Sequence, residues 1–466
     1  MSHFAGLQTA VTGLHAHRRR IDIISENIVN VDTPGYHRQK VNLSAIDRSS
    51  VGVWTGSRHN TGGVEYESIS RMRDAILVNN ARVQTSEAEA RSAETGVLEQ
   101  LETIVGGLEE GSLHDQLNEL WNAFDDLASA PDDLAMRQGV LQRAETVAQG
   151  FTRVTASIDQ LRSDQEAAVY DTVGKVNALA DQIAALDSEI LGTLNTDAHP
   201  NSLLDQRDQL VTELAGTVNV QVNELENGQT EVTVDGQLIV SNGRSNHLTV
   251  QRTSDPVLGS LGYDRFSVVN ASNRELRINS GQLAGALNAT QNIIPQQRER
   301  IDSLIADLTT QVNALHNGGA GLDGSTGNDF FAVDPLHSGT LLVANDVVNQ
   351  PEKVAAATAG AGVLDDSMAR SLANLAESPT GPTSNFVTAV GELAAKVNTS
   401  RTRSDGATAA GERAQQLANS AGGVSLDEEL VDLMTAQRSF EASARLVTAI
   451  DEMLQTLITS TGRVGR

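Results

Sequence analysis

The chain has 466 residues, enough for several domains and a sizeable core. Its formal charge of −26, from 34 Lys+Arg against 60 Asp+Glu, argues against nonspecific nucleic-acid binding, which needs a cationic surface. With no cysteine there are no disulfides, thiol catalysis or thiolate metal sites, and with 3% aromatics the core must be built from Ala, Leu, Val and Ile, as helix packing permits.

No window approaches the roughly 20 apolar residues that span a bilayer, so no membrane partner is expected. The stretch after Met1 is amphipathic, and Arg18-Arg19-Arg20 follows its apolar positions instead of preceding them. That is not the order of a secretory signal, so any export is expected to use a route without a cleaved signal peptide.

In chain order, the first predicted helix carries Phe4, Leu7, Val11, Leu14, Ile21 and Ile28 on one heptad seam, interrupted by Arg18 and Ser25. The periodicity stops at Asn30-Val31-Asp32-Thr33-Pro34-Gly35-Tyr36, where Pro34 disfavours helix at Thr33 and Gly35 allows a turn. An extended segment follows, with Val53, Trp54, Val64 and Ile69 among Gly, Ser and Thr. Helical spacing then runs to about residue 216, with Ser112 as a cap before Leu113, Leu117, Leu120, Trp121, Phe124 and Leu127. Several helical stretches are expected after Pro131.

Between Thr217 and Asn279 the period changes to two. Glu231-Val232-Thr233-Val234, the Asp235-Gly236 turn and Leu238-Ile239-Val240 form a β-hairpin signature. Helix resumes near Gly281 and runs through Leu315 to Gly318-Gly319; residues 320–384 are mixed and turn-rich. Two long helices, about 385–419 and 426–459, finish the chain. The last carries a second seam of Leu426, Leu430, Leu433, Phe440, Ala444, Val447, Ile450, Leu454 and Leu457, interrupted by Gln437.

The expected fold is mainly α with an inserted β domain, in three nested layers. Residues 1–40 and 420–466 pair as a terminal coiled coil. Residues 41–216 and 280–419 build a helical trunk from both halves of the chain, with an extended segment at about 41–70. Residues 217–279 form a small β domain at the tip. Isolated helices of the terminal kind gain too little from their own hydrogen bonds to be firmly ordered. They are expected to order when subunits stack, so that assembly is coupled folding among copies of the chain.

Candidate chemistry is sparse. His15, His17 and Arg18-Arg19-Arg20 form a cationic cluster, better explained as the charged face of an interfacial helix than as a phosphate site. Asp323-Gly324-Ser325-Thr326-Gly327-Asn328-Asp329 has part of the oxygen spacing of a calcium loop but lacks its terminal Glu, so a turn anchored by Phe330 and Phe331 is preferred. Asp205 and Asp208 flank Arg207 at i and i+3 and read as charge pairing at a helix start. No catalytic, cofactor-binding or metal-ligating set can be picked out, and the chain is not expected to be an enzyme. The reading from another class is a secreted acidic hydrolase or adhesin with coiled-coil ends.

The segment Ser25-Glu26-Asn27-Ile28-Val29-Asn30-Val31-Asp32-Thr33-Pro34-Gly35-Tyr36 resembles the N-terminal signature of bacterial flagellar rod, hook and hook-associated proteins. Its motif positions are Asn27, Asn30, Pro34, Gly35 and Tyr36. Asp427-Glu428-Glu429-Leu430 through Ala436-Gln437-Arg438-Ser439-Phe440-Glu441-Ala442 is similar to the closing helix of the same superfamily. Four internal stretches, 120–137, 203–220, 280–316 and 327–331, resemble the hook-associated protein 1 family, the first hook–filament junction proteins. The chain departs from that pattern at Asp32, where relatives usually have Asn, in the rod-like wording of Gln437-Arg438-Ser439-Phe440, and in its short β insert.

The resemblance implies a structural subunit of the extracellular flagellum, exported unfolded by the flagellar type III pathway and forming an adaptor ring between hook and filament. Implied partners are copies of itself, the hook protein, the second junction protein, flagellin and an export chaperone, with no cofactor. A hook or distal-rod protein is the alternative within the class. The expected assembly interface is Phe4, Leu7, Val11, Leu14, Ile21, Ile28, Leu430, Leu433, Phe440, Val447, Ile450, Leu454 and Leu457.

Overall fold

The computed structural model describes residues 2–46, 62–109, 111–196, 199–334 and 339–461. Val53 and Trp54 lie outside the described residues. The helices are α1 (Ser2–Val29), α2 (Ala75–Val105), α3 (Leu113–Ser129), α4 (Leu134–Leu194), α5 (Asn201–Thr217), α6 (Gln282–Asn288), α7 (Ile294–His316), α8 (Ser367–Ala373), α9 (Pro382–Gly422) and α10 (Leu426–Thr461). The strands form small antiparallel sheets. The first pairs β1 (Gln39–Ile46) with β2 (Gly63–Arg71) across a bulge between Asn42 and Leu43. The second, in sequential order, has β3 (Gln221–Glu224), β4 (Thr230–Val234), β5 (Gln237–Ser241) and β6 (Arg244–Ser245). The third has β7 (Thr249–Ser254), β8 (Asp264–Val269) and β9 (Glu275–Leu276). The molecule is mainly helical with a small β region, as the periodicity predicts.

Local chemistry sets the helix ends. The Asp74 carboxylate accepts from the backbone N–H of Ile76 and Leu77 at the start of α2, and Ser112 Oγ accepts from Asp115 N at the start of α3. After Pro131 the sequence reads as several helices, but the structure has a single helix of 61 residues, α4. Its apolar residues keep a spacing of three and four throughout, while the neighbours they meet change along its length. Val140, Val147, Phe151 and Ile158 enter one core with α2, α3, α7 and α9. Val169, Val176, Leu179 and Ile183 enter a second with α5, α6 and the β4, β5 and β8 strands.

The first core holds most of the buried aromatic rings. Trp121, Phe124, Phe151, Phe330, Phe331 and Phe386 are fully buried, and Trp121 Nε1 donates to Thr383 Oγ1 at 2.7 Å, joining α3 to α9. Phe330 lies 5.4 Å from Phe124 and 4.9 Å from Phe331 between centroids, so the Asp323–Asp329 turn is anchored by these two rings.

Two further joints matter. Gly281 stands at φ +85°, donates its N–H to Ser86 O at 2.8 Å, and would place a Cβ 2.6 Å from the Thr217 and Val218 backbone. Only glycine fits where α2, α5 and α6 meet. The sequence expects one helix from Gly281 to Leu315, whereas the structure inserts a π-turn, Ala289–Ile293, before Pro295 near the start of α7. Proline supplies no N–H for a continuous ladder, and the wider turn absorbs that loss.

At one end α1 packs on α10, and the β1–β2 hairpin covers α1 through Val41 and Ile69 against Ile23. Beside them α2 and α9 approach closely because Ala81, Ala414 and Ala418 are the residues between them.

Candidate assembly site

The first and last segments of the chain meet at one buried side chain, Asn27, 1% exposed near the end of α1. Its Nδ2 donates to Gln39 O at 2.9 Å and to Glu429 Oε2 at 3.0 Å. Its Oδ1 accepts from Gln39 N at 2.9 Å and from the Tyr36 hydroxyl at 2.8 Å. Both donors and both acceptor positions of the amide are used, which fixes the loop after α1 against the first turn of α10.

The loop itself follows from its residues. Asn30 Nδ2 donates to Glu26 O at 2.9 Å, Thr33 N donates to Asn30 O at 3.0 Å, and exposed Gly35 turns the chain at φ +79°. Burial and the nearby Glu26 carboxylate push the Tyr36 hydroxyl pKa up, so it stays a donor.

Arg38 extends the same joint. Its Nε donates to Glu429 Oε1 at 2.5 Å, NH1 to Glu428 Oε2 at 2.9 Å and NH2 to Asp432 Oδ2 at 3.4 Å. Arg20, from the cationic cluster of α1, reaches Asp432 Oδ1 at 2.9 Å. Arg38 N donates to Gly422 O at 2.9 Å, and a Cβ on Gly422 would sit 2.7 Å from Met72 O. The acidic start of α10 is thus a receptor for the cations that follow and belong to α1. Sequence reasoning singled out Asn27, Asn30, Pro34, Gly35 and Tyr36 as motif but missed Arg38, Gln39 and Asn201, whose Nδ2 donates to Gln39 Oε1 at 2.8 Å. The signal was available in the Glu428-Glu429 pair, which needs a cation when one member is 1% exposed.

A second charged joint ties the hairpin and α2 to α5. Arg71 NH1 donates to Asp205 Oδ1 at 2.8 Å and Asp208 Oδ2 at 3.0 Å, while Arg73 and Arg82 reach Asp208 Oδ1 at 3.4 and 3.2 Å. His37 Nδ1 lies 2.8 Å from Asp205 Oδ1. Burial pushes the Asp208 pKa up, but Arg73, Arg71 and Arg82 outweigh it and hold the carboxyl below its usual range. The expected charge pairing at this helix start is present, with partners from other elements, while the intervening Arg207 turns inward to Asp187 Oδ1 at 2.9 Å and Gly228 O at 2.6 Å. Asp205 and Asp208, one turn apart, present both carboxylates on one face of α5, where three guanidinium groups from other elements meet them. His37, Asp205 and Asp208 converge closely enough to hold a metal ion, but these carboxylates already carry the guanidinium bonds.

The expected seam residues fall beside, rather than on, the α1–α10 contact in α1. A Cβ on Gly6 would lie 3.5 Å from Ile450 Cδ1, and one on Gly13 3.5 Å from Ser443 Oγ. With Ala10, Ile24 and Asn27 buried, the contact stripe is one residue offset from the apolar one. Leu7, Leu14, Ile21 and Ile28 are half-buried and Val11 is exposed; the Phe4 side chain lies outside those described. In α10, Ile450 is buried, Leu433, Phe440, Val447 and Leu454 are half-buried, and Leu430 and Leu457 are exposed. Leu426, Val431, Met434, Leu446, Met453 and Ile458 are exposed as well.

The family model for the helical domain of the flagellar hook-associated protein FlgK matches residues 98–331, half of the chain. The model for flagella basal body rod proteins matches residues 7–37, and that for the C-terminal part of the basal body rod FlgEFG proteins matches 415–460. Flagellar hook-associated protein 1 of Bacillus subtilis is 25% identical over the whole of both chains. The Salmonella typhimurium protein of that name is 28% identical over 70% of this chain and 58% of its own length, and that of Escherichia coli 27% over 70% and 60%. A solved hook junction protein FlgK from Burkholderia pseudomallei is 24% identical, covering 55% of this chain and 47% of that one, with a TM-score of 0.48. The chain belongs to the flagellar hook-associated protein FlgK family and is a structural component of the bacterial flagellum.

Proposed function

We propose that this chain forms the junction between flagellar hook and filament, as an adaptor ring whose terminal segments, 1–40 and 420–466, are the assembly device. The observation that supports this most is the joint around Asn27. One amide and one arginine close the N- and C-terminal motifs on each other, while both helices keep apolar side chains facing out. Leu7, Val11, Leu14, Ile21 and Ile28 on α1, with Leu430 and Leu457 on α10, then meet neighbouring copies. Burying a Leu- or Ile-sized side chain contributes about 1.5–3 kcal/mol, so a handful per subunit offsets the ordering of two helices.

In the same reading the chain leaves the cell unfolded by the type III route, meets the hook protein on one side and the second junction protein or flagellin on the other, and carries out no catalysis. The trunk, 41–216 and 280–419, sets spacing between subunits, and residues 217–279 face outward. The internal match over 98–331 favours this over a hook or rod protein, whose models match the two ends. Removing residues 426–466 tests it. The expected product is a soluble, folded trunk in cells that shed flagellin into the medium; cells that keep full filaments would overturn the proposal.

A further inference from the structure

The contact between α1 and α10 has an inverted composition. Gly6 meets Ile450, Gly13 meets Ser443 and Asn27 meets Glu429, so the two helices run antiparallel in a heptad register. The α1 side of that seam includes Gly6, Gly13, Arg20 and Asn27, all small or polar. The heptad row next to it is wholly apolar: Leu7, Leu14, Ile21 and Ile28, each half-buried. On α10 the row beside Glu429, Ser443 and Ile450 is Leu433, Phe440, Val447 and Leu454, half-buried as well.

Each row is reached from the seam by the same sense of turn about its own axis, about 100° on α1 and about 40° on α10 at 3.6 residues per turn. Because the helices are antiparallel, the same turn leads to the same flank. The two rows therefore line one groove, opposite the flank where the β1–β2 hairpin covers Ile23. Apolar side chains repeating every seven residues suit a helix, which returns its own side chains to one line at that interval.

A matching helix edge lies on the other flank of α10. Leu446 and Met453 stand three residues after Ser443 and Ile450, a turn in the opposite sense, and both are exposed, as is Leu457. Met453 and Leu457 share a shallow recess with Ala449. Steps of seven and four are those of a heptad seam. At 1.5 Å per residue the edge, 446–457, is about 17 Å long and the groove, 7–28, about 32 Å, so one fits within the other. Groove and edge lie on opposite flanks of the same helix, so no copy fills its own groove.

We propose that the groove between α1 and α10 receives the 446–457 edge of α10 from a second copy of the chain, a three-helix contact that repeats head to tail. The inference rests on the assembly reading above and adds the segment that each neighbour contributes. Two different faces meet, so every pair keeps one groove and one edge free, and the contact propagates instead of closing as a dimer.

Benzoylphenylalanine at position 453, in the full-length protein within assembled flagella, tests this, because each copy then carries one photo-reactive group and one target. The expected products are a ladder of dimers, trimers and higher oligomers of this chain, with residue 453 joined to residues 7–28 or 433–440 of a neighbouring copy. Leu14→Asp puts a charge in the groove and is expected to lower the yield at least about tenfold, with Leu14→Met near the unmodified yield. Hydrogen exchange over residues 24–39 of the isolated subunit is expected to be the same in both variants, which shows the α1–α10 pair intact. Products that stop at the dimer, links to any other segment or to another flagellar protein, no link in flagella that contain the chain, or a yield indifferent to Leu14→Asp would overturn the inference and leave the junction reading standing. Flagella that lack the chain altogether would overturn the junction reading instead.

Discussion

Replacing Asn27 by Ala isolates the joint between the two ends of the chain. The amide makes four hydrogen bonds. Two of its partners keep others: Glu429 retains Arg38, and the Tyr36 hydroxyl retains Gln39 Nε2 at 3.3 Å. The remaining two are the backbone N–H and C=O of Gln39, a residue 7% exposed, and the alanine leaves both without their side-chain partner. Orphaned buried groups cost about 1–3 kcal/mol each, so the joint weakens by roughly 3 kcal/mol, about a hundredfold in its opening equilibrium. Because α1 and α10 open locally, the effect belongs to them and not to the core around Trp121. Hydrogen exchange read by mass spectrometry should speed up about a hundredfold in peptides covering residues 24–39 and 426–436, with those from 113–128 unchanged. Exchange at the first two sites within a factor of about two of the unmodified protein would refute the assignment of Asn27 as the fastening residue.

Three further outcomes follow from buried groups in the trunk. His316 accepts from Ala355 N at 2.9 Å and donates to Asn328 O at 2.7 Å, and burial holds its pKa down at about 4. The folded pKa lies below the ordinary 6.5, so stability is intact above that value and falls by about 3 kcal/mol as pH drops from 6.5 to 4; His316→Gln should flatten that part of the unfolding curve. Arg207 and Asp187 are 2% and 0% exposed; Arg207→Ala leaves the carboxylate unpaired and should cost about 3–5 kcal/mol in urea unfolding, with Asp187→Asn in the same chain recovering most of it. Gly281→Ala forces a Cβ against the Thr217 carbonyl at positive φ and should lower stability by well over about 1 kcal/mol in the same assay, whereas Gly174→Ala, on open helix surface, should not.

The helical trunk was legible because its apolar spacing is long and regular, and the change to period two marked the β region equally well. Hydrophobic counting misplaced the α1 contact face by one residue for a physical reason. The face that meets α10 is made of Gly6, Ala10, Gly13, Arg20 and Asn27, which approach closely or bond but score as small or polar. The apolar stripe beside it is the one left over. Asp205 and Asp208 were legible as a charge-pairing site at a helix start, but not their partners: Arg71, Arg73 and Arg82 come from more than a hundred positions earlier. The unity of α4 was hidden by glycines such as Gly139 and Gly174, which a helix packed along its whole length tolerates.

Electron cryo-microscopy of flagella from cells whose junction subunit is this chain tests the central claim most directly. The account predicts one tier of this protein between hook and filament, with α1 and α10 lining the tube and their outward apolar residues packed on neighbouring copies. Density for the chain elsewhere on the flagellum, or α1 and α10 of each subunit facing solvent with no neighbour against them, would contradict it.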